Sequence, residues 1–123
     1  MRQKKILIAD DNANIRDALT YLLEDEGYEL LLAKDGAETL RQVRDNRPDI
    51  LFLDIMMPEI SGFDVCRTIK NDAGLRDTYV IMLTAKGQVA EQERGKEVGA
   101  DEYIVKPFSP MELLTKVKNI LHG

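Results

Sequence analysis

Short apolar runs are spaced along the chain and are separated by longer, more polar segments. None of these runs alternates between apolar and polar residues, a pattern typical of strands that are buried on both faces of a parallel sheet. The strands predicted in this way cover residues 6–9, 30–33, 50–53, 80–83 and 103–105. The pattern therefore predicts a five-stranded sheet that is covered by other elements on both sides.

The segments between the runs have apolar residues at helical spacing. The clearest stripe covers residues 15–23, and Gly27 stands where that helix would end. A second stripe, over residues 113–121, follows Ser109 as an N-cap and Pro110 in a first turn. Further helices are predicted over residues 37–43, 63–69 and 88–98. The alternation of strand and helix predicts an open, doubly wound α/β domain with right-handed crossovers and helices on both faces of the sheet.

Polar or charged residues follow four of the five runs, at Asp10–Asp11, Asp54, Thr84 and Lys106. Ligands of open parallel sheets bind beyond the carboxyl ends of the strands, so these side chains are expected to meet at one edge. The second run ends at Lys34 and adds nothing to this group. A strand order of 2-1-3-4-5, which is known for domains of this class, explains the difference because it puts the second strand at the side of the sheet.

Three carboxylates at one sheet edge repel one another, and a divalent cation is the simplest remedy. With only oxygen ligands, and no His or Cys nearby, the cation would be magnesium, calcium or manganese. Magnesium is favoured because it keeps several waters and binds phosphate. The predicted ligands are Asp10, Asp11 and Asp54, with waters and one backbone carbonyl. Without metal, at least one of these carboxyls should have a raised pKa from like-charge repulsion.

Phosphoryl transfer would use every polar strand end. Asp54 closes a fully apolar strand, and a carboxylate can act as a nucleophile that forms an aspartyl phosphate. The transferred group carries charge on three oxygens, so catalysis is mainly positioning and neutralisation. Magnesium would neutralise one oxygen and Lys106 a second, while the Thr84 hydroxyl and backbone N–H groups would bind the third. Asp54, Thr84 and Lys106 are therefore the predicted catalytic residues.

Four segments, taken together and in order, resemble the receiver domain of two-component response regulators. They are residues 6–12, residues 53–58 with Ser61–Gly62, residues 83–85 and residues 99–108. The likeness extends over essentially the whole chain and implies one receiver domain, residues 1–123, with the flavodoxin-like fold. It implies phosphotransfer to Asp54 from a sensor histidine kinase or phosphotransfer protein. The domain would be a switch that assists its own phosphorylation and dephosphorylation, rather than a turnover enzyme.

The resemblance also implies finer roles at the site. Magnesium would be bound by Asp11, Asp54 and the backbone carbonyl of Met56, with Asp10 acting largely through water. The peptide bond between Lys106 and the following proline would be cis.

Switching, on the same resemblance, involves two side chains. Thr84 would swing toward the phosphoryl group and Tyr103 would rotate inward. This movement would remodel the surface formed by the fourth helix, the fifth strand and the fifth helix. That surface would then act on a downstream effector domain or protein.

Two other functions use a similar strand-end chemistry. A phosphohydrolase of the haloacid dehalogenase type needs a second Asp two residues after the nucleophile, where this chain has Met56. A flavodoxin-like module for FMN needs a Ser/Thr/Gly-rich loop after the first strand, where Asp10 and Asp11 would repel phosphate. Released phosphate and a yellow colour, respectively, would reveal them.

Composition and charge limit the classes of binding partner and the cellular location that the sequence favours. The net charge of −5 argues against nucleic acid or an anionic membrane as a direct partner. The single cysteine, Cys66, cannot form an internal disulfide, which favours a reducing, cytoplasmic location. The first apolar run stops at Ala9, too early for a signal peptide or a membrane span.

Self-association is expected to be weak. DNA-binding regulators that this chain resembles pair through the fourth helix, fifth strand and fifth helix, using an apolar patch ringed by salt bridges. Glu93 and Lys96 stand where that patch would need aliphatic side chains, and burying unmatched charges at such a contact is unfavourable. We expect a monomer or a weak dimer, at least without phosphorylation. The two charged residues also suit an ordinary solvated helix face.

Overall fold

The computed structural model describes residues 3–85 and 89–122, without the side chain of Val89. All five predicted strands are present, each within one residue of its expected limits. They are β1 (Lys5–Ala9), β2 (Glu29–Ala33), β3 (Ile50–Asp54), β4 (Tyr79–Thr84) and β5 (Glu102–Val105). All are parallel and lie in the order β2-β1-β3-β4-β5, as predicted. The register places Asp54 opposite Leu83, and Thr84 opposite Val105.

Five helices follow the strands among the described residues. They are α1 (Ala13–Leu23), α2 (Gly36–Asn46), α3 (Gly62–Lys70), α4 (Val89–Glu97) and α5 (Pro110–His122). The first three begin at N-caps whose side chains accept a backbone N–H, namely Asn12, Asp35 and Ser61. The predicted start of α4, Gln88, lies outside the described residues. The Lys106–Pro107 peptide bond is cis, as expected.

The end of the first helix differs from the prediction. The α-helix stops at Leu23, and a short 3-10 turn over Glu24–Glu26 continues the chain. Gly27 ends this turn, not the α-helix, with a φ of 85° that glycine adopts readily. The predicted helix over residues 37–43 was also too short, because α2 continues to Asn46.

The core has two layers, one on each face of the sheet. Alternate strand residues such as Ile8 and Phe52 pack with α1 and α5, whereas Leu7 and Leu53 pack with α2 and α3. This double burial is the reason that the strands read as continuous apolar runs. None of the helices in the described part of the chain has the length and apolar character needed to cross a membrane.

Candidate functional site

Three carboxylate side chains meet at the edge of the sheet where the strands end, as predicted from the residues that follow the apolar runs. Asp10 and Asp11 follow β1, and Asp54 ends β3, the strand beside it. One oxygen from each lies within 4.8 Å of the others. Asp10 and Asp54 are buried, with 0% and 5% exposure, and Asp11 is exposed. The cluster therefore combines two enclosed carboxylates with one that faces solvent.

The turn that carries Asp10 is held by several hydrogen bonds. The Asn12 backbone N–H donates to Asp10 Oδ1 at 2.9 Å, and the Arg16 guanidinium donates to the Asp10 carbonyl at 2.7 Å. The Asp10 N–H donates to the Ala33 carbonyl at 3.1 Å. Sequence reasoning missed Arg16, because a basic residue in the first turns of a helix gives no sign of folding back to the preceding strand.

Lys106 lies between the two buried carboxylates. Its Nζ is 2.8 Å from Asp10 Oδ2 and 3.5 Å from Asp54 Oδ1, and its side chain is 18% exposed. Its backbone N–H donates to the Thr84 carbonyl at 2.7 Å, which ties the end of β5 to the end of β4. The lysine that the sequence placed at this edge is thus directly paired with the acidic cluster.

Asp54 has a pKa raised from 3.8 to about 6. Burial is the larger cause, and the negative charge of Asp10 comes second. The positive charge of Lys106 and the Met56 N–H, which donates to Asp54 Oδ1 at 3.1 Å, lower the pKa and offset part of the rise. The predicted increase is therefore present, but desolvation contributes more to it than the like-charge repulsion that the sequence suggested.

Gly62 allows the start of α3 to approach the backbone of Asp54 closely. A Cβ at position 62 would lie 2.3 Å from the Asp54 carbonyl oxygen, so only glycine fits. The Gly62 N–H also donates to the Ile55 carbonyl at 2.9 Å. The intervening loop includes Glu59 in the left-handed region, at a φ of 67°. Ser61 and Gly62 are part of the resemblance to receiver domains, but only the structure shows the close approach.

Thr84 is buried at the end of β4, and its hydroxyl donates to Glu91 Oε1 at 3.2 Å. Glu91 lies in the first turn of α4 and was not predicted as a site residue. Tyr103 is half-buried and packs against the core layer that includes Ile55. The Met56 side chain is 74% exposed beside the site.

The donor set fits a hard divalent cation. All three side chains offer carboxylate oxygens, which is the chemistry that magnesium and calcium select. Lys106 supplies one positive charge against three carboxylates, so the ionised cluster stays negative overall. The exposed position of Asp11 leaves the cluster open to solvent on one side.

Comparisons with known proteins agree on one family. The model of the response regulator receiver domain matches residues 6–118. The DNA-binding response regulator MtrA of Mycobacterium tuberculosis is 43% identical over 118 residues, which are 96% of this chain and 50% of the relative. The chain thus spans about half the length of the curated relatives it matches.

Solved structures give the same result. Chemotaxis protein CheY4 of Vibrio cholerae superposes with a TM-score of 0.90 at 33% identity, covering 98% of this chain and all (100%) of that one. The receiver domain of sensor histidine kinase PA1611 from Pseudomonas aeruginosa has a TM-score of 0.89 at 25% identity. It covers 99% of this chain and 100% of its own, and holds a magnesium ion in its active site cleft. With the fold and the acidic strand ends, these matches show that the chain belongs to the response regulator receiver domain family of two-component signalling.

Proposed function

We propose that residues 1–123 form one cytoplasmic receiver domain that accepts a phosphoryl group on Asp54. The donor would be the phosphohistidine of a sensor histidine kinase or phosphotransfer protein. One observation carries this proposal: a buried carboxylate ends β3 beside Asp10, with the Lys106 ammonium 3.5 Å away. A carboxylate placed next to a cation and an open acidic cluster suits a nucleophile for phosphoryl transfer.

In the transfer, one bond forms and one bond breaks. An oxygen of ionised Asp54 forms a bond to phosphorus while the bond from phosphorus to the donor histidine nitrogen breaks, and its electron pair stays on that nitrogen. A pKa of about 6 leaves Asp54 mostly ionised at neutral pH and more basic than an ordinary carboxylate. The Lys106 ammonium neutralises one phosphoryl oxygen, and the Thr84 hydroxyl donates to another.

The acidic cluster would hold magnesium through Asp10, Asp11 and Asp54, with the backbone carbonyl of Met56. When bound, the ion neutralises charge on the phosphoryl group. The protein's own groups do the positioning: the Met56 N–H orients the acceptor carboxylate at 3.1 Å, and Lys106 pairs with Asp10 at 2.8 Å. Such a site assists phosphorylation and hydrolysis of its own acyl phosphate, so the domain acts as a switch.

The output would be read from the surface formed by α4, β5 and α5. Rearrangement of Thr84 and Tyr103 would alter this surface for an effector domain or a separate effector protein. MtrA is a DNA-binding regulator, but the net charge of −5 on this chain disfavours direct contact with DNA by the domain itself. The same charge disfavours an anionic membrane.

Intact mass spectrometry tests the acceptor. Acetyl phosphate with magnesium should add one phosphoryl group to the wild type, and Asp54→Asn should abolish the addition. Asp45→Asn is a matched control, since Asp45 is exposed in the last turn of α2, on the connection to the start of β3 and not at a carboxyl end, and it should be labelled normally. Labelling of Asp54→Asn at the wild-type rate would show that another residue is the acceptor.

Thermal melts test the cation. Millimolar magnesium should raise the Tm of the wild type, because the ion binds only the folded cluster. Asp11→Asn should reduce this increase without changing the buried core, because Asp11 is exposed. An unchanged Tm with magnesium would contradict the metal site.

Light scattering tests the oligomeric state. Glu93 and Lys96 are both exposed on α4, so a monomer or a weak dimer is expected, at least without the phosphoryl mimic beryllofluoride. A tight dimer through α4, β5 and α5 in both states would refute this expectation.

A further inference from the structure

The attachment of α4 to the domain differs from that of the other helices. By comparison, α3 buries five residues: Gly62, Phe63, Val65, Cys66 and Ile69. Among the described residues of α4, Gly95 is the only one that is buried, whereas Ala90 and Glu93 are exposed and Glu91 is half-buried. Two contacts of α4 involve charged groups, the hydrogen bond from Thr84 to Glu91 and the Arg94 guanidinium at 4.6 Å from the Phe63 ring centroid. Polar contacts therefore contribute much of what holds this helix in place.

The Thr84 hydroxyl has one proton, and both Glu91 and a phosphoryl group on Asp54 would accept it. The hydroxyl donates to Glu91 Oε1 at 3.2 Å in this structure. The proposed function requires the same hydroxyl to donate to a phosphoryl oxygen on Asp54. A threonine hydroxyl has one proton, so it cannot make both hydrogen bonds at once. Phosphorylation and the Glu91 contact therefore exclude each other.

The surroundings make this exchange costly for Glu91. Its side chain borders a small, mainly apolar pocket between α4 and the sheet, together with Thr84, Ile55 and Tyr103. Thr84 itself is only 3% exposed. A carboxylate in such surroundings gains from a donor and loses free energy when the donor leaves. Loss of the Thr84 donor thus favours movement of the first turn of α4 toward solvent.

We propose that Glu91 is a positioning residue that holds the Thr84 hydroxyl in the unphosphorylated state and is released when the phosphoryl group takes that hydroxyl. This inference rests on the proposed phosphorylation of Asp54. It names the contact that opposes the switch and links it to the movement of α4. Because the two hydrogen bonds compete, removing the Glu91 acceptor should favour the conformation that binds a phosphoryl group.

The affinity for beryllofluoride in the presence of magnesium measures this competition. Glu91→Ala should bind the mimic about two- to tenfold more tightly than the wild type, the range expected for the loss of one competing hydrogen bond. Glu91→Gln keeps an oxygen acceptor and should fall between the two. Glu93→Ala removes the same charge from an exposed position of the same helix, and should match the wild type.

Methyl NMR of labelled threonines distinguishes a positioning role of Glu91 from a purely structural one, because only the former changes the chemical shift of the Thr84 methyl group. Without the mimic, the Thr84 methyl resonance in Glu91→Ala should shift toward its beryllofluoride-bound position, while Glu93→Ala leaves it unchanged. Binding by Glu91→Ala that is no tighter than by Glu93→Ala, with an unmoved Thr84 resonance, would overturn the role of Glu91. Absence of phosphoryl labelling and of beryllofluoride binding in the wild type would instead overturn the proposed function.

Discussion

The two sides of the site are held in different ways. On one side, Asp10 directly follows a buried strand and Asp54 ends another, and both are held by backbone hydrogen bonds and by Lys106. On the other side, Glu91 belongs to a helix whose contacts include a threonine hydroxyl and an arginine over an aromatic ring. The first side has the reacting groups and the second lies next to the surface proposed for output.

This difference separates chemistry from signalling. Groups that react need fixed geometry, which buried apolar strands supply because their packing has few alternatives. A helix that reports on the reaction must have two positions of similar free energy. A single hydrogen bond such as that of Glu91 contributes about 0.5–1.5 kcal/mol, so its loss can shift the balance between two positions of the helix. Losing the packing of a buried apolar side chain costs about 2–5 kcal/mol, which the strands would not survive without unfolding. The predictions below test this contrast, from the largest expected effect to the smallest.

Gly62→Ala should cause the largest loss of stability, about 3 kcal/mol or more. The added Cβ would lie 2.3 Å from the Asp54 carbonyl oxygen, so α3 and β3 must separate. Urea unfolding monitored by circular dichroism gives the free energy of unfolding. A loss below about 0.5 kcal/mol, within the range of ordinary surface substitutions, would show that this side of the site is not rigid.

Asp54→Asn should change how stability depends on pH in metal-free buffer. In the wild type the raised pKa, about 6 against 3.8, means that the folded state binds more protons. This contribution to the free energy of unfolding is fully present below about pH 4 and is lost as the pH rises through about 6. Between pH 4 and pH 7, the free energy of unfolding of the Asn variant should therefore rise by about 2 to 3 kcal/mol relative to that of the wild type.

The difference between the pH profiles of the wild type and Asp54→Asn is free of the contributions of other titrating groups that change stability in the opposite direction. Glu102 has a lowered pKa, because Tyr79 and Lys116 donate hydrogen bonds to it against the opposing effect of burial, and it loses its stabilising effect as the pH falls. That effect is common to the wild type and to Asp54→Asn and cancels in their difference. Parallel pH profiles for the two proteins would contradict the raised pKa of Asp54.

Gly95→Ala should stabilise the protein by about 0.5–1 kcal/mol, because alanine is the better helix former and Gly95 is inside α4. The nearest atom to the added Cβ would be the Ala100 Cβ at 3.9 Å, an ordinary van der Waals distance. The urea assay described for Gly62→Ala measures this change. Opposite signs of the two changes in the free energy of unfolding would show directly that α3 is tightly packed and that α4 is not. Destabilisation by Gly95→Ala would mean that α4 packs as tightly as α3.

Arg94→Gln should lower the free energy of unfolding by a similarly small amount, about 0.5–1 kcal/mol, from loss of the cation–π contact with Phe63. Hydrogen exchange should become faster in α4 and stay unchanged in β1 and β3. Arg44→Gln, at an exposed position of α2, is the control and should leave α4 unaffected. Equal changes in α4 and in the strands would argue for a general loss of stability.

Several features of the fold and site were accessible from the sequence. Continuous apolar runs predict parallel strands buried on both faces. The strand order known for this class of domain agrees with the absence of a functional residue after the second run, and the structure has that order. Asp10, Asp54 and Lys106 were predicted to meet because the carboxyl ends of parallel strands share one edge, and the distances bear this out. The end of α1 was misjudged because glycine suits the end of a 3-10 turn as well as that of an α-helix.

Thus the sequence by itself determined the strands and helices and the edge at which the charged residues gather. Only the tertiary structure decided that Arg16 holds the Asp10 turn, that burial is the main cause of the raised pKa of Asp54, and that Thr84 donates to Glu91. The physical reason is that apolar periodicity reports which face of an element is buried. Pairing between polar side chains depends on the rotation and offset of each helix against the sheet, which the packing of the whole core sets.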